Sequence, residues 1–203
     1  MTVFGTLMLD NNKMKLTIRE DDINKNTPVN GLKYSHEQFL DAHQTHTIGL
    51  LCDGLEENVD LINYINSTSN WEICIHGWNH HNYCLMNKNQ IEDELDKSIL
   101  KIDDLFGVTP VKWFLPFNGW TQKHGFSKVP WVANIALYHG IDVLNDCQHI
   151  KKFLSDLNDC KLATNIVYYN GWDSSDLALL PELLFFASNL KVDNLQEKRD
   201  NKL

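Results

Sequence analysis

Apolar residues recur along this chain with two periods that alternate. Short runs with a period of two, or continuous β-branched runs, are read as strands. Longer stretches with apolar residues three and four apart are read as helices. Lys15–Arg19 is the first strand expected. Ser35-His-Glu-Gln38 has the form of a capping box and predicts a helix to about Gln44. Thr47–Cys52 predicts the second strand, and 55–65 a helix with Val59, Ile62 and Ile65 on one side. Glu72–Ile75 predicts the third strand. Asn89–Phe106 predicts a long helix, with Ile91, Leu95, Ile99, Ile102 and Leu105 in one stripe and Gly107 as its stop. Val111–Leu115 predicts a fourth strand closed by Pro116, followed by a helix over 129–137 and a short strand over 141–144. A helix over 150–157, a strand over 164–169 and a helix over 175–189 complete the pattern. Pro181 must sit in the first turns of that last helix or split it. About six βα units follow one another with no repeat, linker or change of composition. One domain over residues 1–190 is expected, with a charged, fraying tail over 191–203. Alternation of this kind predicts a parallel sheet with helices outside, as a barrel or a doubly wound sheet.

Composition narrows the function classes. The chain has 203 residues, 43% hydrophobic and 22% charged, with a formal net charge of −9. That balance is ordinary for a globular protein and gives no electrostatic footprint for nucleic acid. No apolar run is long enough for a membrane span. The N-terminal residues lack the basic region and apolar core of a secretory signal. Cys52, Cys74, Cys84, Cys147 and Cys160 form no Cys-x-x-Cys pair, so reduced thiols in a cytoplasmic protein are expected.

The run from Trp71 to His81 carries the most chemistry. Its β-branched strand stops at Gly77, and His76 and His80 stand where it ends. Sites in α/β folds are built at that end of a strand. Two neutral imidazoles four residues apart can grip one divalent metal from the same side, although the spacing alone is weak. Cys74 shares the strand face of His76 by alternation. A third ligand is available at the end of the first strand, where Asp21 and Asp22 lie side by side. Two buried carboxylates repel and lose hydration, a cost that a cation offsets. Gly77-Trp78, Gly119-Trp120 and Gly171-Trp172 each follow an expected strand. An indole there can stack on a sugar ring or pack its loop onto the core.

These residues resemble the polysaccharide deacetylases with the NodB-homology domain, carbohydrate esterase family four. The family's Asp-Asp motif is similar to Asp21-Asp22, and its His-(Ser/Thr)-x-x-His motif to His76-Gly-Trp-Asn-His80. Its Pro-aromatic step is similar to Leu115-Pro116-Phe117-Asn118-Gly119. The resemblance implies an α/β fold that is a distorted, incomplete (β/α) barrel. It also implies hydrolytic removal of an acyl group, most simply N-acetyl, from a carbohydrate. Asp21 is then the general base, and Asp22, His76 and His80 hold a divalent metal. Zinc suits that donor set; iron, cobalt or nickel also fit. Trp78, Pro116, Phe117, Asn118, Trp120, Asn170 and Trp172 are the expected substrate contacts. His81 is expected to face away from the metal or to support it. The sequence departs from the family at two points. Lys112, Trp113 and Phe114 stand where an arginine usually orients the base, and Asn170 stands where a general-acid histidine is expected. His124 and His139 are the alternative donors by position. The departures keep a second class open, a catalytically silent carbohydrate-binding protein on the same scaffold. A third reading, a doubly wound protein with a chance histidine pair, predicts Asp22 far from His80.

Overall fold

A computed structural model describes residues 16–118, 130–144, 147–159 and 166–189. Seven strands form one sheet in the order β5-β4-β3-β2-β1-β7-β6, and every pairing is parallel. The strands are β1 (Thr17–Ile23), β2 (His46–Leu51), β3 (Trp71–Gly77), β4 (Lys112–Phe114), β5 (Asp142–Leu144), β6 (Gln148–His149) and β7 (Ile166–Tyr169). The helices are α1 (Val29–Asp41), α2 (Val59–Ser67), α3 (Lys88–Phe106), α4 (Pro130–Tyr138), α5 (Ile150–Asn158), α6 (Ser174–Leu177) and α7 (Leu180–Asn189). The sheet curls into a half-barrel with β5 and β6 at its two edges, which is the incomplete barrel expected, not a doubly wound sheet.

Strand alternation divides the sheet into two chemically different faces. Ile48, Leu50, Ile75 and Trp113 point outward and join Leu61, Ile65, Leu95 and Ile102 of α2 and α3 in one core cluster. Ile18 and Val167 join Phe39, Phe153, Leu183 and Leu184 in a second, under α1, α5 and α7. The inner face carries Arg19, Asp21, Gly49 and His76, with Phe114 packed under the Arg19 guanidinium. In a barrel of this type chemistry is concentrated at the C-terminal ends of the strands, where Asp21 and His76 stand.

Several elements differ from the sequence pattern. α1 begins at Val29 behind Pro28, so Ser35 lies inside the helix. Its hydroxyl donates to Glu20 at 2.6 Å and to the Leu32 carbonyl at 3.1 Å, and the capping-box reading there is incorrect. The 55–65 helix is a short 3₁₀ turn over Leu55–Glu57 followed by α2, capped by Asn58. The final helix is split into α6 and α7, with Pro181 in the first turn of α7. β6 has two residues and no periodicity to betray it. The helix over Lys88–Phe106 stands as expected, with a capping box at Asn87 and Gln90 and left-handed Gly107 at its C-terminus.

Candidate metal centre

β1 does not stop before its aspartates. It runs through them, and the register against β2 slips between Glu20 and Ile23. Asp22 takes a left-handed backbone, φ 65°. Consecutive strand residues ordinarily face opposite sides, and a bulge at this point re-aims one of them. Asp21 and Asp22 therefore both address the C-terminal rim of the half-barrel.

Asp22 Oδ1 lies 3.2 Å from His76 Nε2 and 3.2 Å from His80 Nε2. These three are the convergent group of potential metal ligands among the described residues, their ligand atoms all within 4.8 Å of one another. His76 Nδ1 lies 2.7 Å from the Phe114 carbonyl oxygen, which can only accept, so Nδ1 carries the proton. In the neutral ring, Nε2 then turns a lone pair toward Asp22 Oδ1, itself buried without a hydrogen-bond partner. Two acceptors face to face need a positive charge between them. The carbonyl that fixes the His76 tautomer is the usual outer support of a metal-bound histidine. The donor set, two imidazoles and one carboxylate, fits a divalent transition metal and leaves further coordination positions open. Burial pushes the Asp22 carboxyl up, but the proximity of His76 and His80 holds it well below the usual range.

Asp21 is fixed differently. Arg19, two residues earlier on the same strand face, places Nη2 2.9 Å from Asp21 Oδ2. The guanidinium is 1% exposed. It lies 4.2 Å from the Phe114 ring centroid and donates to Cys147 Sγ at 3.1 Å. Asp21 Oδ1 is buried and free of hydrogen bonds among the described residues. Burial raises the Asp21 carboxyl above its ordinary range, with Arg19 acting against that. Lys112 does not substitute for the missing β4 arginine. It pairs with Glu72, which also accepts from the Thr47 hydroxyl at 2.8 Å. Gly49 completes the floor: a Cβ there would lie 3.3 Å from His76 Cβ and 3.4 Å from both Asp21 Oδ1 and Phe114 Cδ2. Arg19 and Gly49 are absent from the sequence-derived set. The Arg-x-Asp spacing on a strand was the available signal for Arg19; nothing local marks Gly49.

The other expected residues fall into three groups. Pro116, Phe117 and Asn118 form a turn after β4, and Phe117, φ 60° and half exposed, sets its ring 4.6 Å from that of His80. Asn170 follows β7, one residue past the Tyr169 that pairs with Glu20, and Trp172 is exposed just beyond it. Trp78 is half-buried against the core and borders a cavity of about 500 Å³ with Leu100 and Lys101 on α3. Trp120 and His124 lie outside the described residues. His81 turns to Glu94 of α3, and His139 to Asp96 of the same helix at 3.4 Å. Cys74 is fully buried, its thiol pushed well above the usual range by that burial, and it is no part of the convergent group. The imidazole linked to Asn170 is instead His149. Its Nε2 lies 2.9 Å from Asp176 Oδ2, the same oxygen that accepts the Asn170 N–H at 3.1 Å.

Residues 34–126 match the polysaccharide deacetylase family model. No curated protein sequence matches the chain. The fold is similar to a family 4 carbohydrate esterase from Streptomyces lividans, solved in complex with acetate: TM-score 0.64, 13% identity, 86% of this chain and 88% of that one. It is similar to a CE4 family pseudoenzyme from Bacillus anthracis, with TM-score 0.73 and 16% identity, over 92% of this chain and 65% of that one. It is also similar to the peptidoglycan deacetylase PdaC from Bacillus subtilis, with TM-score 0.65 and 11% identity, over 96% of each chain. A mutant of the Bacillus anthracis pseudoenzyme is described as having restored enzymatic activity.

Proposed function

From the match of residues 34–126 to the polysaccharide deacetylase model and the likeness of the fold to a family 4 carbohydrate esterase, we propose that this chain is a polysaccharide deacetylase, a metal-dependent hydrolase removing N-acetyl groups from a carbohydrate. The observation that carries this reading is the convergence of Asp22, His76 and His80, with a separately tethered Asp21 beside them. A bound divalent ion, zinc by the donor set, supplies Lewis acidity to the acyl carbonyl. The chain's own residues do the rest. Asp21 keeps Oδ2 on Arg19 and uses the free Oδ1 to take the proton of the attacking water. Phe117, beside His80, and the exposed Trp172 beyond β7 offer aromatic surface to a sugar ring.

The proton donor we assign to the leaving amine is His149, whose Nε2 is held by Asp176 and whose Nδ1, accepting the Lys151 N–H at 3.3 Å, must exchange that bond for the proton it delivers. Cys147 faces Arg19 on the inside of the curl, and His149 follows it by two residues, so both side chains are directed to one face. The Tyr168 ring, 5.7 Å from the Arg19 guanidinium carbon and 5.1 Å edge-on to the His149 ring, spans the two. His149→Ala should slow release from N-acetyl substrates by about 100-fold or more while sparing an activated phenyl acetate ester, whose leaving group needs no proton. Equal slowing on both substrates would remove His149 from that role. The second reading, a silent carbohydrate-binding protein, is favoured by Asn170 in the usual acid position and by the pseudoenzyme among similar folds. Acetate release from a panel of N-acetylated oligosaccharides separates the two. Turnover lost in Asp21→Asn with zinc retained supports the hydrolase; binding without any turnover supports the silent protein.

A further inference from the structure

The segment between β3 and α3 presents His80 to the metal centre, yet it has little regular structure before the turn at Tyr83–Leu85. His80 sits in a left-handed conformation, φ 49°, which a non-glycine residue holds only when its surroundings impose it. The surroundings here are an anchor on α3. Glu94, in the second turn of that helix, is 7% exposed. Its Oε1 lies 2.5 Å from His81 Nδ1, immediately after the metal-facing histidine. The same carboxylate lies against the Tyr83 phenol, and burial and Glu94 together hold that phenol above its usual range. Tyr83 is buried edge-on to Trp113, 5.0 Å between centroids, and its hydroxyl accepts the Trp78 N–H at 3.4 Å. A Cβ on Gly77 would stand only 2.7 Å from that hydroxyl, so the phenol fills the space a side chain at position 77 would need. Both flanks of His80 are thus tied, Trp78 through Tyr83 and His81 through Glu94.

We propose that Glu94 is a positioning residue for the metal centre, fixing the 78–83 segment through His81 and Tyr83 so that His80 Nε2 meets Asp22 and His76. The inference rests on the metal-site reading above. Its test measures zinc affinity by chelator competition on the metal-stripped full chain, with the visible spectrum of the cobalt-loaded form as a report on ligand geometry. Glu94→Ala should weaken zinc binding about 10- to 100-fold and alter the cobalt spectrum. Glu94→Gln, which keeps one acceptor oxygen for the His81 tie, should recover part of the affinity. Because Glu94 is buried, its truncation can also unfold the chain. His81→Ala, on a half-exposed side chain, removes one tie without that risk and should cost about ten-fold in affinity. Folded variants that bind zinc as the wild type does, with an unchanged cobalt spectrum, would overturn the role of Glu94 alone. A wild-type chain that binds no zinc would overturn the metal-site reading and this inference with it.

Discussion

Arg19 is the residue on which the site's economy depends. It stands two positions before Asp21, is almost fully buried, and binds one carboxylate oxygen, Oδ2. A carboxylate beside a divalent ion is drawn toward it as an extra ligand. A fixed guanidinium resists that pull and leaves one oxygen free for a proton. Arg19→Met should lower kcat about 100-fold with KM and bound zinc unchanged, the scale of loss that a small misplacement of a reacting group produces. Arg19→Lys should restore part of it. An unchanged kcat in Arg19→Met would show that Asp21 needs no tether. At this scale the sequence was legible where chemistry and spacing coincide: Asp22, His76 and His80 were readable as a set from strand ends and from family motifs. Arg19 carries only the faint signal of lying two residues before Asp21 on one strand face, and His149 carries none because its pairing with Asp176 joins residues far apart in the chain. Such partners leave no local pattern.

Among the elements, α3 was the most legible because its apolar stripe, its N-terminal cap and its glycine stop agree. The Asn87 side chain accepts from Gln90 N–H at 3.1 Å, and the Gln90 side-chain oxygen accepts from Asn87 N–H at 2.9 Å. Asn87→Ala should cost about 1 kcal/mol in chemical denaturation, and a change within experimental error would mean the cap is replaced by water. α1 was misjudged for an instructive reason. Ser35-His-Glu-Gln38 has capping form, yet Ser35 and His36 are fully buried and serve a polar cluster beneath the sheet. Glu20 accepts there from Ser35 and, at 2.8 Å, from Tyr169, with His46 Nε2 at 3.0 Å. Gly171 must lack a side chain because Glu20 occupies its space, a Cβ there falling 1.8 Å from Oε1. Tertiary burial took residues whose local sequence argued for a helix start. β6 escaped notice because two residues cannot display a period.

For the whole molecule, this buried cluster gives stability a pH dependence. Burial, then the neighbouring His46, lowers His36 to about 4. It stacks on Trp71 at 3.6 Å as a neutral ring. The unfolded chain binds its proton near pH 6.5, so between about 6.5 and 4 the unfolded state holds more protons and folding stability falls as pH falls. The loss from this group should reach about 3 kcal/mol and level off below pH 4. Denaturation across pH 7 to 4 should show a shallower loss in His36→Phe, which keeps the ring stack; identical slopes would exclude His36 as the source. The barrel class was legible from the alternation of strands and helices, whereas the open edges at β5 and β6 depended on a strand too short to read. At the same scale stands the proposed reaction, which needs the metal trio and Asp21 in one assembled rim. Its most direct measurement is acetate release from N-acetylated oligosaccharides alongside metal content, for the wild type and His76→Ala. The expected result is about one divalent ion per chain and turnover abolished both by chelation and by the substitution. Acetate released at the wild-type rate by metal-free His76→Ala would contradict it.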